Sequence, residues 1–314
     1  MGKMIIRFVL LFAPVFLYAG VVKSTPAWVY DGEFQYLSDP RFEPGGVAIP
    51  RDYVFYATDR NLPGVWLVWR TGHINWGGLG SGPGQFDSPN RVALSPEGEV
   101  YVTDGRNRRI QYFTPNGSYV GEWPTGPDTP ASGPKGLAIS PGHVVYVTIT
   151  QENVVKYFTL AGSLLGSWGG FGTGEGYFNW PWDVSLSPSG RVYVLDQKNR
   201  RVQYFTPAGS YLGQWPVPMG SPQGMAVAPD GAVFVTILDT HSVYYFTSNG
   251  SLLGSIGWRG SGAGEFDTPR GVGFSNDGEL LYVADEGNAR VQWFRKSPTN
   301  VRPTSLGRIR ALYY

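Results

Sequence analysis

Apolar residues recur along this chain in short bursts, not at helical spacing. One burst appears six times: Val47-Ala48-Ile49, Val92-Ala93-Leu94, Leu137-Ala138-Ile139, Val184-Ser185-Leu186, Met225-Ala226-Val227 and Val272-Gly273-Phe274. Their first residues lie 45, 45, 47, 41 and 47 positions apart, and near-constant spacing of that size marks a repeat architecture. Within a unit, the turn Ser95-Pro96-Glu97-Gly98 leads to a second burst, Val100-Tyr101-Val102-Thr103, and Asp104 opens a loop to a third, Ile110-Gln111-Tyr112-Phe113. The turn Thr114-Pro115-Asn116-Gly117 then leads to Tyr119-Val120-Gly121-Glu122-Trp123. Short runs rich in Val, Tyr, Phe and Trp between Pro, Gly and Asn predict hairpins. A lone four-stranded meander cannot cover both its faces. Radial stacking solves this, so the expected fold is all-β, a six-bladed β-propeller of four-stranded antiparallel blades.

Blade six lacks a fourth strand after Val291-Gln292-Trp293-Phe294. The segment 31–37 is predicted to supply it, as a turn and strand that closes the ring and hides edge strands. Aromatic residues at strand positions, such as Tyr112, Phe113, Tyr157, Phe158, Tyr204 and Phe205, read as packing between blades. A second pattern is nested in the first. Blades two, four and six follow glycine-rich loops, Gly80 to Phe86, Gly172 to Phe178 and Gly260 to Phe266, and carry Asp104, Asp196 and Asp285 with Arg109, Arg201 and Arg290 five residues later. Blades three and five lose both members together, with Ile149 and Val154, and Ile237 and Ser242, at those positions. Joint loss implies that the two side chains interact, and the alternation implies duplication of a two-blade unit. Blade one keeps Asp59 but has Gly64 in place of arginine.

The run Phe86-Asp87-Ser88-Pro89-Asn90-Arg91-Val92-Ala93-Leu94, followed by Gly98 to Asp104 and Asn107 to Phe113, closely resembles the NHL repeat. Blade six matches it through Phe266, Pro269 to Val272, Tyr282 to Asp285 and Asn288 to Gln292. The resemblance extends over roughly residues 31 to 296 and implies the propeller fold. It leaves function open, because similar propellers serve as protein-binding modules, RNA-binding domains, receptor sensors and a few lyases and lactone hydrolases.

Composition narrows the setting. The 314 residues contain no cysteine, which removes disulfides, thiol catalysis and thiolate metal sites together. Lys3 and Arg7, an apolar run from Phe8 to Phe16 and Leu17-Tyr18-Ala19 predict an export signal over 1–19, with a retained membrane anchor as the alternative. That run is shorter than the roughly 20 residues of a spanning helix. The propeller is expected over 27–296 and a tail over 297–314, which either docks on the propeller, is recognised by an envelope partner or stays unstructured. Removing Lys3 and Arg7 from 25 basic residues leaves 23 against 24 acidic ones. Such a balance offers no broad field for phosphate backbones, so no nucleic-acid partner is expected. Neither is a membrane span after signal cleavage.

Meander topology places the loops between second and third strands on the same rim as the inter-blade loops, and the uniform Pro-Gly turns on the other. The variable rim is where binding is expected. It carries Arg60, Arg106, Arg108, Gln151, Glu152, Lys198, Arg200, Asp239, His241, Glu286 and Asn288, with Trp180 and Trp182 on a neighbouring loop. A structural role is expected for Asp59, Asp104, Asp196 and Asp285 with Arg109, Arg201 and Arg290: each aspartate ends a strand, can accept backbone N–H groups and can pair with its arginine. A calcium-binding carboxylate ring is the alternative. The loops Gly80 to Gly84 and Gly172 to Gly176 lack the lysine and following helix of a nucleotide site. His73, His143 and His241 are the only histidines, and the topology puts His143 and His241 on opposite rims. The resulting expectation is a secreted, monomeric, non-catalytic binding or scaffold module without cofactor or bound metal, recognising a protein or glycan through the variable rim. A metal-dependent lyase or hydrolase is the competing reading.

Overall fold

The computed structural model describes residues 28–35, 42–126 and 133–297. The expected export signal and the tail from residue 298 onward lie outside the described residues. Six four-stranded antiparallel sheets form the ring, a six-bladed β-propeller. The innermost strands are β2 (Pro44–Arg51), β6 (Pro89–Leu94), β10 (Pro134–Ile139), β14 (Pro181–Leu186), β18 (Pro222–Val227) and β22 (Pro269–Phe274). All six begin with proline. The missing N–H costs nothing at the first residue of an edge strand, and the fixed φ sets the angle at which the chain enters the blade.

The core is a ring of inter-blade layers. Six buried clusters each join two neighbouring blades; one of them combines Tyr193, Leu195 and Val202 of blade four with Met225, Val235 and Phe246 of blade five. Tryptophans on outer strands extend this packing. Gly117 (φ +85°) lies on Trp76 of the preceding blade, where an added Cβ would be 2.5 Å from the indole, and Gly162 on Trp123, Gly209 on Trp168 and Gly250 on Trp215 repeat the contact. Only glycine satisfies both the left-handed turn and that approach.

The ring is closed by β1 (Trp28–Gln35), the fourth strand of blade six beside β24 (Arg290–Lys296). The strand starts three residues earlier than the predicted segment. Asp31-Gly32, expected as a turn, is instead a bulge between Tyr30 and Gly32. The same irregularity recurs in other blades, for instance where Phe113 pairs with Tyr119 but Tyr112 with Gly121. Glycine is needed there because the ring of Trp293, like that of Tyr112 in blade two, lies against it.

Candidate binding site on the loop face

One face of the ring carries the starts of the inner strands, the loops between second and third strands and the glycine-rich connections; the other carries the Pro-Gly turns. On the loop face, Asp104 ends its strand fully buried. Its Oδ1 accepts from Asp87 N (2.8 Å), and its Oδ2 from Arg109 Nε (2.8 Å), Asn107 Nδ2 (2.9 Å) and Gln111 Nε2 (3.1 Å). The rest of the Arg109 guanidinium caps the carbonyls of Ser81, Gly82 and Gln85 and meets Glu122. The glycine-rich loop is thus tied to its blade through one buried ion pair. Asp196 with Arg201, and Asp285 with Arg290, repeat the arrangement. Burial raises each carboxyl above its ordinary range while the donors pull it down. In blade one, Asp59 accepts from the backbone of Glu43, Asn61 and Leu62 and from Trp66 Nε1. Asn288 belongs to this framework: its amide donates to Asp285 and to Gly260 O, as Asn107 and Asn199 do in their blades.

The central channel is blocked by a pair that the sequence reading did not single out. Arg91 of β6 reaches across to Asp183 of β14, with Nε and Nη2 each 3.0 Å from Oδ2. It also donates to the carbonyls of Gly45 and Gln223, so one side chain ties blades one, two, four and five together. Asp183 is buried and accepts in addition from the backbone N–H groups of Val184 and Met225. Beyond the pair, toward the turn face, lies a cavity of about 200 Å3 walled by residues such as Val47, Ala93, Leu137 and Ala226.

Above the pair, the loop-face mouth gathers charge. Glu286, at the start of the short 3-10 helix Glu286–Asn288, accepts from Arg60 Nη1 (2.7 Å) with one oxygen and from Arg270 with the other. Lys135 Nζ donates to Asn90 Oδ1 (3.2 Å) and stands 5.2 Å from the Trp182 ring centre. Trp182 lies in β14 and not in a loop. Its indole is near-parallel to that of Trp180 (interplanar angle 10°, centroids 6.4 Å apart), and Lys198 Nζ sits 3.6 Å above Trp180. The order is cation, indole, indole, cation along one ledge. Trp180 holds φ +59°, a region that bulky residues seldom occupy.

The remaining rim residues are scattered. Arg106 is largely exposed beside Asp87, and Gln151 and Arg200 are exposed. Glu152 pairs with Lys156, Asp239 accepts from Ser221 N, and Arg108 contributes its carbonyl to Thr125. His241 Nδ1 accepts from Thr268 N and lies 3.3 Å from Asp267. His143 contacts Glu97 at 2.6 Å on the turn face, whereas His73 packs against Trp66 and Phe34. Among the described residues, no three His, Asp or Glu side chains group as a metal ion would require.

Comparison with known proteins agrees with this geometry. The NHL repeat model matches residues 86–113, 178–205 and 266–294, which are the three blades with the Asp–Arg pair. Three of the six blades thus carry NHL repeats in a β-propeller fold. Among solved structures it is similar to virginiamycin B lyase from Staphylococcus aureus with quinupristin (16% identity, TM-score 0.63, covering 84% of this chain and 98% of that one). It is also similar to hydrazine synthase of Kuenenia stuttgartiensis (15%, 0.58, 88% and 99%) and to a chain of a nidogen/laminin complex (16%, 0.55, 69% and 80%). At such identities these likenesses show the fold alone. No curated protein matches the sequence.

Proposed function

We propose that the chain is a binding or scaffold module that recognises a protein or glycan partner through its loop face, after export directed by residues 1–19. The observation that supports this best is the Trp180–Trp182 ledge, two near-parallel half-buried indoles flanked by lysines. The left-handed backbone itself belongs to the repeat, since Ser88 and Thr268 hold it before Pro89 and Pro269; what sets blade four apart is that the position carries an indole. Half-buried amphipathic indoles with ammonium groups at either end suit sugars or peptide side chains. The lyase or hydrolase alternative has no such support, since the three histidines sit in three separate surroundings.

Glycan and peptide arrays probed with the purified mature chain test the proposal. The strongest binder should lose about tenfold or more in affinity on Trp180→Gly or Lys198→Ala, as expected for losing a stacking or charge contact. Binders that survive both substitutions unchanged would place recognition elsewhere. The mass of the secreted chain tests the leader: retention of residues 1–19 would overturn it.

A further inference from the structure

The loop-face mouth holds more positive charge than its own acids neutralise. Among the described residues, the ion pairs of Arg60, Arg91 and Arg270 there are made with Asp183 and Glu286, and Lys135 brings the cations to four against those two carboxylates. The acids are fully engaged: Arg91 takes Asp183, while Arg60 and Arg270 take one oxygen each of Glu286. Lys135 has no carboxylate among the described residues and keeps only the neutral Asn90 amide oxygen and the Trp182 face. Arg60 Nε is buried there without a hydrogen-bond partner. A half-buried ammonium among guanidiniums and an orphaned guanidinium N–H are the unmet demands that an anion would satisfy.

We propose that this mouth is a binding site for a compact dianion, a dicarboxylate or tetrahedral oxyanion borne by the partner, seated between Lys135, Arg60 and Arg270. This rests on the loop-face reading and names the chemistry that the partner inserts. Such a ligand brings the acceptors that Lys135 and Arg60 lack and balances the two excess charges. The partly desolvated mouth strengthens the attraction relative to open water, and the channel block beneath limits the ligand to the surface end.

The same crowding gives the test its readout. Burial, together with Arg60, Arg91, Arg270 and the more distant Arg106, lowers Lys135 to about 8. A bound dianion opposes every one of those charges and must raise it. Lysines labelled by reductive 13C-methylation can be titrated by NMR from about pH 7 to 10, with Lys135 assigned through Lys135→Met. Sulfate and malonate are the probes, because both stay doubly charged over that range; chloride at equal ionic strength is the control. Lys135 should move up by about one unit or more with sulfate, malonate or both, and not with chloride. Sulfate alone identifies a tetrahedral oxyanion site and malonate alone a dicarboxylate site. Arg270→Gln should weaken the effective probe by about tenfold. An unmoved Lys135 with both probes overturns the site. Trp180 lies outside the cluster, so a partner lost on Trp180→Gly while Lys135 stays silent would sink the anion site and leave the loop-face reading intact; the converse result would do the reverse.

Discussion

Arg290 Nη1 donates to Glu33 Oε2 at 2.8 Å, joining residues 257 positions apart across the seam of the ring. The contact is not special to the seam. Arg109 meets Glu122 and Arg201 meets Gln214 through the equivalent atom at 2.8 and 2.7 Å, each on the outer strand of its own blade. The first strand therefore completes a repeat whose other parts lie at the far end of the chain. Glu33→Ala should cost roughly 1 kcal/mol, a modest figure because the carboxylate is partly exposed. Glu33→Gln should be nearly neutral, since Gln214 performs the same task in blade four. Urea denaturation of the two variants checks this, and equal losses would show that charge and not the hydrogen bond matters.

The pair across the channel should behave differently, because both partners are nearly withdrawn from water, with side-chain exposures of 11% for Arg91 and 3% for Asp183. Arg91→Ala leaves a buried carboxylate alone and should destabilise the fold by about 3–5 kcal/mol. Joint replacement, Arg91→Met with Asp183→Leu, should recover most of that loss, since apolar substitutes of similar volume suit a channel otherwise walled by Val, Ala and Leu. A double-mutant cycle from chemical denaturation measures the coupling. A double variant as weak as Arg91→Ala would mean that the carbonyl contacts to Gly45 and Gln223 carry the stability.

These cases also mark how far the sequence was legible. Blade number, strand order and the pairing of Asp104 with Arg109 follow from residues close together in one repeat, where turn chemistry and joint loss in blades three and five expose them. The channel block is harder, because Arg91 and Asp183 meet only after the ring closes. A signal was present nonetheless: the other inner strands place Gly46, Gly136, Gly224 and Gly271 at that position, and two exceptions of opposite charge, in blades two and four, ask for a partner. The contributions of Lys135 and Arg270 to the mouth had no such mark, since neighbouring repeats vary freely there. The loop position of Asn288 marks the rim, while Asn107 and Asn199 at the same offset from their aspartates mark a shared framework role.

Lys135 should make stability depend on pH in the alkaline range. Its amine falls to about 8 in the folded chain, driven by burial and then by Arg60, Arg91 and Arg270, against about 10.4 in an unfolded chain. Between those values the unfolded state binds more protons, so stability rises with pH from about 8 to 10 and the charged amine is a burden below 8. Lys135→Met should remove that rise and stabilise the protein at pH 7 by roughly 1–2 kcal/mol. Melting curves at pH 7 and 9.5 for both proteins supply the comparison. Loss of stability on Lys135→Met at pH 7 would show that its contacts with Asn90 and Trp182 outweigh the repulsion.

Trp180 offers the sharpest separation of folding from recognition. At φ +59° its backbone is strained, and glycine would relieve about 1 kcal/mol there. Losing the Lys198 contact and the stack on Trp182 removes a comparable amount, since an exposed cation–π pair is worth about 0.5–1 kcal/mol. The two changes oppose each other, so Trp180→Gly should melt within about 2 °C of the parent while partner binding falls. A drop of more than about 5 °C would make Trp180 a packing residue like Trp123 or Trp215, and the ledge would lose its claim as a recognition surface. An unchanged melt with lost binding would mean that the Trp180 indole serves the ligand and not the fold.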